Sequence, residues 1–285
     1  MMSEISVVIP TYNRAAILQE VLPRYLLPGV LEVLVVDDGS TDDTSRFLKD
    51  VAASERRIRH MRHAVNRGLP SARNSGVDAV RGEWVLFGED DGYPSSGALG
   101  GLLACARATQ AEVIGSRVVY LRPGRGEAEV VTSFDHAGAP VDLRRLWFNF
   151  NTPASGLTPA VQALGMLVQR RVFNSVRFDQ RYNGSAYREE TDFCLSAWAA
   201  GYRVYFCSEA VMVHLARPFS GGQRRRSRLA YEWSAFRNNL RMLRKHNALL
   251  RSRFEVTSPL WLLQGRFVGG RLGAVVRGLA RSFRG

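Results

Sequence analysis

The feature that most restricts the fold is a repeated pairing: an apolar run too short for a helix closes on polar residues, and a helical pattern follows. Residues 5–9 (ISVVI) end at Pro10, and residues 15–27 then carry helical spacing at Ile17, Leu18, Val21, Leu22 and Tyr25. Residues 31–36 (LEVLVV) close on Asp37, Asp38, Gly39 and Ser40, with Thr41 or Asp42 as N-cap of a helix through Val51. Residues 58–61 read as a third short strand, 71–79 as a helix, and 83–87 as a fourth strand that stops at Glu89, Asp90 and Asp91. Uninterrupted apolar strands alternating with helices predict an α/β fold, a mostly parallel sheet covered on both faces. Ligands of such sheets bind beyond the carboxyl ends of the strands. The loops at 10–14 (PTYNR), 37–38 and 89–91 are therefore predicted to meet at one edge.

The later chain has a different texture. A strand is expected within 111–120, and residues 122–163, rich in Pro, Gly, Arg and Asn, read as a variable lobe. A short apolar run at 164–168, a helix over 191–200 ending at Gly201, and strands at 204–206 and 210–213 follow, the last reaching His214. Hydrophobic residues at 46% and charged ones at 23% are the balance of a globular chain. The start lacks a secretory pattern and no run approaches the length of a membrane span, so a cytoplasmic protein is expected, peripheral at most at the inner face of a membrane. Cys105, Cys194 and Cys207 show no CxxC spacing and are expected as buried or idle thiols.

Several clusters suit chemistry. Adjacent carboxylates at Glu89, Asp90 and Asp91 are unfavourable unless a cation offsets them, and a hard divalent ion bridging a diphosphate is one solution, a solvated turn the other. Asp38, in a loop relaxed by Gly39, suits a hydrogen bond to a base or ribose, or an ordinary turn. Glu189, Glu190 and Asp192 fit either helix initiation or a general base aimed into a cleft. His214 is a structural histidine or a ligand for a manganese-class ion.

In order, VVIPTYNR, LVVDDGSTDDT, NRGLPSARNSGVDAVRGEWVLFGEDD, FDQRYNGSAYREETDFCLSAWAAGYRVYF and VMVHL resemble the GT-A fold glycosyltransferases of family 2 along residues 4 to 214. That resemblance implies an inverting, metal-dependent transferase using Mn²⁺ or Mg²⁺ and a nucleotide-diphosphate sugar, UDP-linked ahead of dTDP or GDP. It divides the chain into a nucleotide-sugar half (1–110), an acceptor and catalytic half (111–214) and a C-terminal extension (215–285). It implies that Pro10, Thr11, Tyr12 and Arg14 lie against the nucleotide, and that Asp38 reads base or ribose. Asn66, Gly68 and Arg73 fall in the NxGxxxARN segment bordering the nucleotide. Asp91 matches the metal-binding acid and Asp90 the ribose acid, with Glu89 and His214 as further metal candidates. Glu190 aligns as the base, Glu189 beside it and Asp192 as the alternative. Glu89 and Glu190 stand where the family often has Asp, and Ser196 where many members have Arg. The competing readings are a catalytically degenerate GT-A-like binding protein and a sugar nucleotidyltransferase; the latter would want a Gly-rich basic phosphate loop, which PTYNR is not.

Charge is placed unevenly. Residues 215–285 hold 16 Arg or Lys against 2 acids, within a net +13 for the whole chain. Leu229, Trp233, Phe236, Leu240 and Leu243 predict an amphipathic helix packed on the enzyme. Farther on, Trp261, Val268, Leu272, Val275, Leu279 and Phe283 share one helical face, with Arg266, Arg277, Arg281 and Arg284 on the other. A basic amphipathic helix over 259–285 suits an anionic membrane surface. The acceptor is expected to be a glycan, lipid-linked or a small molecule, and nucleic acid is not the expected partner.

Overall fold

A computed structural model of the chain describes residues 5–182, 184–216 and 227–282. The arginine-rich stretch 217–226 and the side chains of Val275, Arg277, Leu279, Arg281, Phe283 and Arg284 lie outside the described residues. β1 (Ile5–Thr11), β2 (Val30–Asp37), β3 (Ile58–Arg62) and β4 (Trp84–Phe87) are parallel, in the order β3-β2-β1-β4. α1 (Ala15–Val21), α2 (Thr44–Ser54) and α3 (Leu69–Ala79) connect them. Pro23 tightens the end of the first helix into a 3₁₀ turn over Leu22–Tyr25. The second helix starts after Asp43, and the capping bond comes from Asp42, one of the two predicted caps, which accepts the Thr44 N–H at 3.0 Å.

Side chains alternate between two cores. Ile5, Val7 and Ile9 enter one and Val8 the other; Val33 and Val35 oppose Leu34 and Val36; Trp84 and Leu86 oppose Val85 and Phe87. Both faces of β1, β2 and β4 are buried, which is why those runs are mostly apolar, while the edge strand β3 is half-buried and mixed in sequence.

β5 (Gly92–Pro94) and α4 (Ala98–Thr109) lead to β6 (Val113–Leu121). α5 (Glu127–Thr132), the hairpin β7 (Val141–Asp142) and β8 (Trp147–Phe148), and β9 (Gly156–Leu157) make up the variable stretch before β10 (Met166–Gln169). β10 is antiparallel to both β4 and β6, so the sheet, mostly parallel as expected, is mixed in its middle. Met166, Leu167 and Val168 are apolar because both faces are covered there, a pattern blind to direction. α6 (Glu189–Ala199) precedes β11 (Val204–Leu215), one strand where two were expected, with a register shift between Cys207 and Val211. β11 runs parallel to β6 and antiparallel to β5, setting His214 opposite Gly92. The Leu215 N–H donates to the Asp91 carbonyl at 2.7 Å, fastening this strand end to the acidic loop.

Two expectations are corrected. Cys105 and Cys207 are not idle thiols but a disulfide across 102 residues, formed where α4 packs on β11; only Cys194 is a buried free thiol among the described residues. The extension folds as α7 (Arg228–Lys245), α8 (Asn247–Phe254) and α9 (Leu260–Ser282). In α7 the predicted packing residues Leu229 and Trp233 face outward, and Ala235, Asn238, Asn239, Met242 and Leu243 are buried. The reason is a polar seam: Asn239 accepts from Arg188 at 3.1 Å and donates to Gln264 of α9 at 2.8 Å, so the packed stripe contains amides that apolar spacing does not mark. Trp261, Val268 and Leu272 share a face of α9 as predicted, with Trp261 and Leu272 exposed. No helix among the described residues is long and apolar enough to cross a membrane.

Candidate active site

The loops after β1 and β2 are strapped together before they meet any ligand. Asn13, at φ 56°, turns its side chain to accept the Thr41 N–H at 2.7 Å, and its own N–H donates to Ser40 at 2.9 Å. Asp37 is buried and accepts from Ser40 N–H at 2.8 Å, from Ser45 and from Arg62. Gly39 has φ 80°, and a Cβ there would lie 2.7 Å from the Val65 carbonyl carbon, so only glycine lets these loops touch.

Asp38 lies at the edge of the cleft, as predicted, but its carboxylate is largely occupied by protein. Oδ1 accepts the Arg67 N–H at 2.9 Å and faces His63 Nδ1 at 2.7 Å; Oδ2 accepts the Gly68 N–H at 2.8 Å. Asp38 thus holds the 66–68 loop whose Gly68 (φ 90°, ψ 159°) opens α3 in a conformation available essentially to glycine. His63 escaped the sequence reading. The only signal for it was register: Asp37 pairs with Arg62, so the next residues on each strand fall side by side.

The acidic loop is organised differently. Thr11 donates to Asp90 at 2.8 Å, and Arg14 reaches Asp91 at 3.2 Å and Asp90 at 3.9 Å. Burial pushes the Asp90 carboxyl up to about 7, against the pull of Arg14. Burial likewise raises Glu89, opposed by His214 and helped by Asp91. His214 Nε2 lies 3.4 Å from Asp91 and 3.7 Å from Glu89, while its Nδ1 is 3.1 Å from the Leu215 carbonyl oxygen, which only accepts. Nδ1 therefore carries a proton, and Nε2 faces two carboxylates. The Leu215 carbonyl orients the ring from its far side and leaves Nε2 as the nitrogen a metal would take. One ligand atom each from Glu89, Asp91 and His214 falls within 4.8 Å of the others. Two carboxylates and an imidazole fit a divalent ion of the manganese class.

The three acids of α6 separate. Glu190 lines a cavity of about 220 Å³ together with Arg73, Glu89, Tyr120, Gln162 and His214, and has no hydrogen bond among the described residues. Glu189 is buried against Arg73, which also stands 3.8 Å from Glu89. Burial lowers the Arg73 pKa, with Glu89 and Glu190 holding it up. Asp192, the alternative base, is not in the cleft. It is fully buried on the other side of α6, where it accepts from Tyr182 at 3.0 Å and Lys245 at 2.6 Å and faces His246 at 2.9 Å, tying α6 to the extension. A helix separates positions 190 and 192 by about 200°, which is why acids so close in sequence serve opposite faces.

The larger adjoining cavity, about 490 Å³, is lined by Pro10, Thr11, Tyr12, Arg14, Asp38, Asn66, Gly68 and Asp90. Arg73 is absent from this wall; it backs the smaller cavity. The unpredicted contributors to the larger one include Ser185 and, from α7, Tyr231. The Ser185 N–H donates to Ser234 of α7 at 3.0 Å. The loop entering α6 holds Ala186 at φ 53° and Arg188 at φ 72°, non-glycine strain of the kind that gathers where a site needs a fixed shape. Asn74 clamps that loop's base, exchanging two hydrogen bonds, 2.8 and 3.1 Å, with the Phe178 backbone.

The model for glycosyl transferase family 2 matches residues 6–174. Among curated relatives, an uncharacterized glycosyltransferase of Bacillus subtilis, EpsJ, is 26% identical over 76% of this chain and 62% of its own length. The GalNAc(5)-diNAcBac-PP-undecaprenol beta-1,3-glucosyltransferase of Campylobacter jejuni is 31% identical over 41% of this chain and 39% of its own. The chain thus spans less than two thirds of the length of these relatives. The mannosyltransferase PcManGT of Pyrobaculum calidifontis, solved with GDP-Man and Mn²⁺, superposes with a TM-score of 0.63 at 17% identity, covering 97% of this chain and 76% of that one. The likeness is one of fold, the GT-A arrangement of a mostly parallel sheet with helices on both faces.

Proposed function

The chain belongs to glycosyl transferase family 2, and from that premise we propose that it moves a sugar from a nucleoside-diphosphate donor to a hydroxyl acceptor in one inverting displacement, dependent on a divalent cation. The observation that carries this reading is the meeting of Glu89, Asp91 and His214 within 4.8 Å, with Glu190 on the same cavity wall. A Mn²⁺ or Mg²⁺ ion held on those three groups would offset the charge developing on the leaving diphosphate. Imidazole ligation favours Mn²⁺ of the two.

The larger cavity takes the nucleotide, with Pro10, Thr11 and Tyr12 against it, Asn66 and Gly68 at its border, and Asp90 at the ribose. Asp38 supports this wall mainly by holding the 66–68 loop. UDP-linked donors are the first class proposed, ahead of dTDP- and GDP-linked ones. Arg14, already at the acids, lies where a diphosphate would need a fixed cation. Glu190 takes the acceptor hydroxyl's proton as its oxygen attacks the anomeric carbon, the new C–O bond forming on the face opposite the breaking one. Arg73 and Glu189 position the start of α6 behind it. The C. jejuni relative is named for an undecaprenol-linked acceptor. A lipid-linked or cell-envelope glycan is the acceptor class proposed here, with residues 259–285 contacting the membrane.

The test is turnover of a panel of UDP-, dTDP- and GDP-sugars with Mn²⁺, Mg²⁺ or EDTA, with the anomeric configuration of the product read by NMR. Metal-dependent nucleotide release from one donor, with inverted product, is expected. Release indifferent to EDTA, or retained configuration, would contradict the reading.

A further inference from the structure

α7 and α9 leave an apolar face uncovered. The helices run antiparallel: Gln264 of α9 bonds Asn239 and the Phe236 carbonyl at 2.8 and 3.1 Å, and Arg271, farther along, pairs with the earlier Glu232 of α7. In an antiparallel pair, the positions one residue past each contact turn to the same side. Those positions include Trp233 and Leu240 on α7 and Trp261, Val268 and Leu272 on α9, with Leu229 on the same stripe of α7. Leu229, Trp233, Trp261 and Leu272 are 82%, 61%, 75% and 60% exposed. The opposite flanks, Ala235 and Met242 of α7 and Leu263 and Phe267 of α9, are buried in the body of the protein. An exposed apolar patch on this scale marks a contact surface.

Charge identifies what covers it. Arg237, Arg244 and Arg266 are exposed around the patch, and neither Arg237 nor Arg244 has an ion pair among the described residues. Arg237, Arg241, Arg244 and Lys245, joined by Arg181, surround Leu240 in one groove. Residues 227–273 hold nine Arg or Lys against Glu232 and Glu255 alone. Indoles beside aliphatic side chains, rimmed by the unpaired guanidinium groups of Arg237 and Arg244, match a bilayer interface with anionic headgroups.

We propose that the outward α7–α9 face docks on an anionic lipid bilayer, Trp233 and Trp261 entering the headgroup boundary and Arg237, Arg244 and Arg266 meeting lipid phosphates. The inference deepens the lipid-linked acceptor reading and enlarges its membrane contact from residues 259–285 to include α7. The inner side of α7 carries Tyr231 and Ser234 to the donor cavity. A docked face therefore holds that cavity about one helix diameter, ~10 Å, from the lipid.

The experiment is co-sedimentation of the full chain with vesicles of phosphatidylcholine alone and of phosphatidylcholine mixed with phosphatidylglycerol. Wild type is expected on the mixed vesicles and not on the neutral ones. The pairs Trp233→Ser with Trp261→Ser, and Arg237→Gln with Arg244→Gln, are each expected to weaken binding at least about tenfold. The same variants should keep the Mn²⁺-dependent thermal shift by donor, which separates failure of docking from failure of glycosyl transfer. Equal binding to neutral vesicles, or variants that bind like wild type, would overturn the proposal. So would a wild-type dimer in sedimentation equilibrium that ignores vesicles and becomes monomeric on Trp233→Ser with Trp261→Ser, since a second copy would then be the occupant.

Discussion

Asp38 and Asp91 both lie in loops that follow parallel strands, and their surroundings differ in kind. Asp38 is met at 2.7–2.9 Å by two backbone N–H groups and an imidazole. Asp91 is met by a guanidinium at 3.2 Å and an imidazole nitrogen at 3.4 Å, beside Glu89 and Asp90, whose carboxyls are both pushed upward. A buried carboxylate saturated by its own protein builds architecture. Carboxylates crowded together with long, incomplete contacts are arranged for something that arrives later. The same contrast divides α6: Asp192 is saturated, Glu190 is not.

That contrast can be broken most sharply at the unsaturated end. Glu190→Gln is expected to lower kcat about 10²–10⁴-fold with the melting temperature unchanged, measured by nucleotide release and differential scanning fluorimetry. Full activity in that variant would remove Glu190 as base. Asp192→Ala should do the reverse. Stripping the buried partner from Lys245 and His246 is expected to cost about 3 kcal/mol, a fall of about 6–12 °C in melting temperature, while the folded fraction keeps its turnover. Asp38→Ala leaves the Arg67 and Gly68 N–H groups to water and should cost about 1–2 kcal/mol, with donor KM raised more than kcat is lowered.

The smallest effect is a slope. Native Asp90 holds its proton up to about 7, where the unfolded chain gives it up near the ordinary aspartate value of about 3.9. The metal-free native state thus binds more protons between these values. Its stability from this group is greatest below about pH 4 and declines as pH rises through 7. Melting temperatures in EDTA should show that decline, and Asp90→Asn should flatten it.

Much of the first half was legible in the sequence. Strands buried on both faces leave apolar runs, and the loops between them keep the order Thr11, Asp38, Asp91 that the family resemblance uses. What escaped has one cause: the pattern of a run reports burial but neither direction nor partner. Hence the run at 164–168 gave no sign that β10 is antiparallel, Cys105 and Cys207 passed as buried or idle thiols, and His63 went unnoticed beside Asp38. Asp192 shared the acidic signature of Glu190 because proximity in sequence hides a half-turn of helix. In α7 the buried Asn238 and Asn239 displaced the packed stripe from the apolar one, which left Leu229 and Trp233 outside.

The central claim, that the unsaturated acids form a metal site and the saturated one does not, is tested most directly by Mn²⁺ binding in the presence of UDP, followed by electron paramagnetic resonance. One bound Mn²⁺ per chain is predicted for wild type and for Asp38→Ala, and none for Asp91→Asn. Undiminished Mn²⁺ binding by Asp91→Asn would contradict it.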